Sequence, residues 1–363
     1  MSEVLMKSPY HSLPAYTRWK KAIAEPDYPS VDPVTNFPWK IANSDKVATA
    51  GSCFAQHIAR HLKQGGFDYY VVEDGHPLAD EHQRYHFNYG TYSARYGNIY
   101  TPRQLVQLFE RAFGTFEPQE EIWTNEQGSF VDPFRPNIEP EGFATKEELA
   151  ADRHQHLAKV RKMFSTLDVF VFTLGLTEAW LSKTDGAVFP VCPGVAGGIF
   201  DEQKYEFHNF RVSEVITDLE RFLDLLNSVN PKARVILTVS PVPLIATAEN
   251  RHVLTSTTYS KSALRVACDE IERAHKHVVY FPSYEVITGT YNRGRYFDED
   301  LRNANEEGVS HVMRLFLQHA TQAEAVQAPI PKLDEHRNFI ERMMHVVQTT
   351  CEEELIEVSL SRR

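Results

Sequence analysis

Val47-Ala48-Thr49-Ala50-Gly51-Ser52-Cys53-Phe54-Ala55 decides the fold of this chain, because an apolar run of strand length ends on glycine and serine where a helical pattern begins. Phe54, Ile58 and Leu62 then recur every fourth residue, and Gly65-Gly66 supplies a stop before Phe67-Asp68-Tyr69-Tyr70-Val71-Val72, which reads as a second strand. The chain opens as strand, serine turn, helix, strand. On such a turn Ser52 holds its hydroxyl at the strand end and its backbone N–H beside a helix N-terminus. One residue then supplies both a nucleophile and half of an oxyanion hole. The plainer role for a serine there is a helix N-cap.

Outward from that turn, apolar runs predict strands at residues 46–51, 68–73, 168–174, 234–240 and 277–281, with helical patterns between several of them. Such alternation is the signature of a parallel sheet covered on both faces. The spacing predicts a helix from Pro102 to Phe113. Residues 76–150 are too long for a simple crossover and read as an insertion near the site, and residues 183–211 read as a second long loop. Ligands in parallel sheets bind beyond the carboxyl ends of the strands, so these loops are where substrate selection is expected. Residues 1–45, rich in Pro, Tyr and Trp, are expected to form an ordered wrap over a main domain at 46–324. Residues 325–363 read as a helical extension with Ile340, Met343, Met344 and Val347 on one face, suited to packing or to a homo-oligomer contact.

The 363 residues carry a net charge of −11, with 42% apolar and 24% charged residues. That balance describes a globular chain and argues against nucleic acid or anionic membrane as the main partner, since both require clustered positive charge. No run approaches the ~18 apolar residues of a membrane helix, and the N-terminus lacks a signal-peptide core, so a cytoplasmic protein without a membrane span is expected. Cys53, Cys192, Cys268 and Cys351 show no paired spacing that would suggest a disulfide framework or a zinc site. His57 and His61 share a helix face but lack the glutamate and third ligand of a metal site, so no metal is expected. The serine turn lacks a Gly-rich phosphate signature, which leaves no support for a nucleotide cofactor. Acyl-CoA stays open as a co-substrate, its phosphates falling to Arg95, Arg103 or Lys261.

The pentapeptide from Gly51 to Ala55 resembles the GSCFA family, a branch of the SGNH/GDSL esterase and acyltransferase superfamily. So do Arg95-Tyr96-Gly97-Asn98-Ile99-Tyr100, Gly175-Leu176-Thr177-Glu178, Ser240-Pro241-Val242 and the stretch from Tyr259 to Leu264. The resemblance spans roughly residues 46 to 320. It implies a three-layer, flavodoxin-like (SGNH-type) α/β sandwich with a mostly parallel five-stranded sheet in the order 2-1-3-4-5. It implies Ser52 as nucleophile and an oxyanion hole from Ser52, Gly97 and Thr177, which stands where the superfamily has asparagine. Asn98, Glu178, His86 and His252 are expected to line the substrate.

The superfamily's Asp-x-x-His pair aligns with Asp300-Leu301-Arg302-Asn303, which puts a neutral asparagine where the base should stand. Asparagine cannot act as a general base. His311, four residues after Glu307 on a helical pattern, is the preferred replacement, with Asp300 and Glu307 as the carboxylates and His86 and His252 as the next candidates. The Cys53 thiol beside a helix N-terminus is a further alternative nucleophile. The expected function is a serine-dependent ester hydrolase or O-acyltransferase acting on a carbohydrate or related polar substrate. Two alternatives stand beside it: a non-catalytic sugar or acyl-CoA binding protein that kept the cleft and lost the base, and an interaction protein working through the aromatic wrap and the C-terminal helix.

Overall fold

Period-two alternation in four apolar runs, each too hydrophobic to face water on either side, builds the centre of the molecule. The computed structural model describes residues 8–322 and 353–361. In chain order, β1 (Val47–Gly51) leads into α1 (Ala55–Gln64), the short α2 (Glu81–His86), α3 (Pro102–Phe113), β2 (Trp123–Thr124), β3 (Phe130–Val131) and α4 (Lys146–Thr166). Then come β4 (Val169–Leu174), β5 (Glu178–Ser182), β6 (Val188–Phe189), β7 (Tyr205–Asn209), α5 (Val212–Val229) and β8 (Arg234–Val239). The last elements are α6 (Val253–Ala274), β9 (Val278–Tyr280), α7 (Ser283–Thr288), α8 (Glu306–Ala320) and α9 (Glu354–Ser361).

The central sheet is parallel in the order β1-β4-β8-β9. Ala48, Ala50, Phe170, Phe172, Val235 and Leu237 face the layer of α3, α4, α5 and α6. Val47, Val169, Val171, Ile236 and Val279 face α1, α7 and α8. The expected strand at residues 68–73 is reduced to one parallel bridge between Tyr69 and Val47, so the sheet has four strands where five were expected. Past that bridge the Val72 N–H leaves the sheet to reach Ser93 O at 2.8 Å.

Residues 183–211 are more than a loop, because β5 pairs antiparallel with β6 and β7 in a small second sheet. The insertion at 76–150 is held by buried ion pairs. Arg95 joins Glu139 (2.7 Å) and Asp152 (2.8 Å), while Arg135 joins Asp152 (2.6 Å) and Asp132 (3.0 Å). Burial alone would raise the Asp132 carboxyl, but Arg135, Arg153 and Arg111 hold it well below the usual carboxylate range. The N-terminal segment runs along α8, ending where Ile41 bridges Thr321. The apolar face of Ile340, Met343, Met344 and Val347 lies outside the described residues.

β1 and β4 approach so closely at their carboxyl ends that a Cβ on Gly51 would lie 2.3 Å from the Thr173 carbonyl oxygen, and Gly51 has φ of 139°. Both facts require glycine. Gly51→Ala is expected to lose at least ~1–3 kcal/mol from backbone strain alone. A urea denaturation midpoint equal to that of the wild type would contradict the close approach.

Candidate active site

The carboxyl ends of β1, β4 and β8 converge on the Ser52 turn. The parallel ladder continues one residue beyond β1, with the Ser52 N–H donating to Thr173 O at 3.1 Å. Ser52 is 3% exposed, and its hydroxyl has no hydrogen-bond partner among the described residues. The hydroxyls of Thr91, Thr173 and Ser256 are also buried without a partner among the described residues, so what sets Ser52 apart is its place at the carboxyl end of β1. Cys53 is buried against Val242, in the loop after β8.

Two loops close on Ser52. The Ile99 N–H donates to Gly51 O at 2.9 Å, which brings the Gly97-Asn98 turn against the end of β1, and Gly97 itself has φ of 69°. Asn98 is buried, and its side-chain oxygen accepts from the Tyr92 hydroxyl, which in turn accepts from Gln56 Nε2 at 3.0 Å. After β4, the Gly175 and Leu176 N–H groups both donate to Tyr100 O, at 2.9 and 3.2 Å. A Cβ on Gly175 would meet Tyr100 Cδ1 at 3.0 Å and Ser52 Cβ at 3.2 Å, so Gly175 packs directly on the serine.

The next group is Lys261 of α6. It is 2% exposed, and its ammonium donates to the Gly175 carbonyl at 2.5 Å. Burial pulls it down to about 8, opposed by the Glu353 carboxylate and assisted by Arg302. Arg302 pairs with Glu353 at 3.1 Å, so the segment preceding α9 brings a carboxylate to the same region. Sequence reasoning named Lys261 only as a phosphate ligand and missed Arg302 and Glu353. The signal for Lys261 was its place in the stripe Lys261, Leu264, Cys268, Ile271, whose other members are apolar and fully buried.

Several expected site residues are committed elsewhere. The Ser52 N–H is used by Thr173 O and is no oxyanion donor in this arrangement. Thr177 donates its hydroxyl to Asn209 at 2.6 Å, which removes it from the oxyanion hole. His311 donates from Nε2 to the Val31 carbonyl (2.9 Å) and accepts at Nδ1 from the Tyr296 hydroxyl (2.7 Å), so neither nitrogen is open to Ser52. Glu307 does not orient that ring, because it accepts from Tyr28 at 2.5 Å. Asp300 accepts from Asn303 Nδ2 at 2.7 Å, a closed pair at the position expected for the acid and base.

The substrate-lining candidates also divide. Glu178 accepts from the Thr247 hydroxyl at 2.7 Å. His252 caps α6 through Nδ1, 3.1 Å from the Leu254 nitrogen, and His86 is exposed on α2 beside His82. Arg95 is taken up by its ion pairs, and Arg103 pairs with Asp218 at 2.6 Å. Ser52, Gly97 and Asn98 are therefore the expected residues that the structure gathers at one place. No group of three or more His, Cys, Asp or Glu side chains among the described residues is placed to hold a metal ion. Nor is any helix among them long and apolar enough to cross a membrane.

Residues 46–316 match the model of the GSCFA family, well over half of the chain, and the protein belongs to that family. No curated protein matches the chain.

Burial, with Arg314 nearby, pushes His311 down to about 4. A buried neutral histidine must gain a proton on unfolding, so the unfolded state binds more protons between about pH 4 and pH 6.5, and stability falls as pH falls through that window. The loss from His311 is about 2 kcal/mol between about pH 7 and pH 5. Urea unfolding of His311→Gln at both values should show a pH dependence shallower by that amount. An unchanged dependence would mean that His311 is not held neutral.

Proposed function

We propose that this chain performs serine-dependent acyl chemistry, in which Ser52 accepts an acyl group from an ester and passes it to water or to a hydroxyl of a carbohydrate or related polar substrate. The observation that carries the reading is the Ser52 hydroxyl, buried and unpartnered at the carboxyl end of β1, where parallel α/β sheets place their ligands. The GSCFA family is generally grouped with the SGNH/GDSL esterases and acyltransferases, and that grouping supplies the carbohydrate part. The Tyr69 bridge beside β1 supports the related sheet order 2-1-3-4-5, with its second strand shortened to one pairing.

In this reading Ser52 Oγ attacks the acyl carbon, and Gly97 N–H with the Asn98 side chain is the nearest turn suited to face the developing oxyanion. Thr177 plays no part, since its proton is spent on Asn209. A second reading, a binding protein that retains the cleft without turnover, draws on the closed Asp300–Asn303 pair.

The discriminating experiment is intact-mass detection of a fluorophosphonate adduct on wild type, Ser52→Ala and Cys53→Ala. A single adduct on wild type and Cys53→Ala, absent from Ser52→Ala and mapped to Ser52, is expected. No adduct on any form would favour the binding protein, and an adduct that survives Ser52→Ala would move the nucleophile elsewhere.

A further inference from the structure

We propose that Lys261 is the general base of the site, its ε-amine taking the Ser52 proton in the role that Asn303 cannot fill; the inference rests on Ser52 being the nucleophile. Four observations place it there. Its nitrogen lies 2.5 Å from the carbonyl oxygen of Gly175, the residue packed on Ser52. Cys53, the next residue along the turn, lies close enough to influence it. The hydroxyl it would serve is buried and has no partner among the described residues, Lys261 included, so the amine reaches it by turning from the Gly175 carbonyl. Finally, its helix is fixed against the same loop, since Ser260 Oγ accepts from the Thr177 N–H at 2.9 Å.

The hydrogen bond from Lys261 ends on a neutral carbonyl, which lets the amine shed its proton more readily than a carboxylate partner would. With the ammonium pulled down to about 8, roughly a tenth of the molecules hold a neutral amine at neutral pH. The groups facing it are the Glu353 carboxylate from the segment before α9, the Arg302 guanidinium from the loop before α8, and the Cys53 side chain.

The step balances with these groups alone. The neutral amine of Lys261 takes the Ser52 proton as Oγ bonds to the acyl carbon. The resulting ammonium gives that proton to the leaving alkoxide as the ester C–O bond breaks, which leaves acyl-Ser52. Water or an acceptor hydroxyl then yields its proton to the same amine while attacking the acyl carbon, and the Ser52 oxygen leaves and recovers the proton.

The test is the rate of fluorophosphonate addition to Ser52 between about pH 5.5 and pH 10, for wild type, Lys261→Met, Lys261→Arg and Glu353→Gln, with far-ultraviolet circular dichroism as the folding control. The wild-type rate should climb about tenfold per pH unit and level off near 8. Lys261→Met and Lys261→Arg should each lose ~100-fold or more. Glu353→Gln should move the inflection to lower pH, because that carboxylate raises the lysine.

Full reactivity in folded Lys261→Met overturns the proposal and leaves Ser52 as nucleophile. Retention in Lys261→Arg, with a wild-type rate that falls above pH 8, would make the lysine an electrostatic donor instead. An inflection near 6.5 would assign the base to a histidine. If Lys261→Met fails to fold, Lys261→Arg and the Glu353→Gln shift decide. Absence of any adduct on wild type at every pH would overturn the serine reading itself, and this one with it.

Discussion

The contact on which the site depends is the approach of Gly51 and Ser52 to Thr173. A parallel pair normally keeps room for side chains on each strand, but here a Cβ at position 51 would collide with the Thr173 carbonyl. Glycine removes the obstacle, and the ladder therefore runs one residue further, through the Ser52 N–H to Thr173 O. That last bond fixes where the serine hydroxyl stands. It also uses the backbone donor that a shorter ladder would have left free, so positioning the serine hydroxyl and freeing its own N–H are competing outcomes of one register.

The donors of the neighbouring turn need independent support, and the insertion gives it. Arg95 stands two residues before Gly97 and is anchored by Glu139 and Asp152, with Arg135 and Asp132 continuing the network. Buried ion pairs often add little net stability, since desolvation offsets the attraction. Their geometric consequence is more definite: Asp152, shared between Arg95 and Arg135, ties the segment before Gly97 into the network. The insertion is thus tied to the site by charge, while α3 to α6 are tied to the sheet by apolar packing.

What was legible in the sequence follows the range of the interactions. β1, β4, β8 and β9 could be read because strands buried on both faces must be apolar along their whole length, and α3 because Pro102 and Gly114 mark its ends. β5 to β7 escaped notice, although Tyr205-Glu206-Phe207-His208-Asn209 alternates, because the glycines and prolines around them read as loop. The edge at 68–73 looked like a full strand but leaves β1 after one bridge, since Val72 finds its partner in Ser93. Ser52 was readable because a turn is local chemistry. The spacing of Glu307 and His311 was misleading for the opposite reason: which face of α8 meets Tyr28 and Val31 is set by a segment far away in the chain.

Lys261 shows how a site can be recognised where stability offers no motive. In the stripe Lys261, Leu264, Cys268, Ile271, a leucine or methionine would pack without desolvating a charge, and alanine at position 52 would leave no hydroxyl unpaired. Both departures from the stable choice occur against the same residue, Gly175. Two independent costs at separate points of a core would be ordinary imperfections; two costs meeting on one glycine at the carboxyl end of a parallel sheet are what the proposed chemistry would account for. Burial is the largest influence on the lysine's proton affinity, followed by Glu353, which raises it, with Arg302 lowering it less. On the proposed reading, a ligand bound beside Ser52 would alter that burial, and with it the readiness of the amine to take a proton.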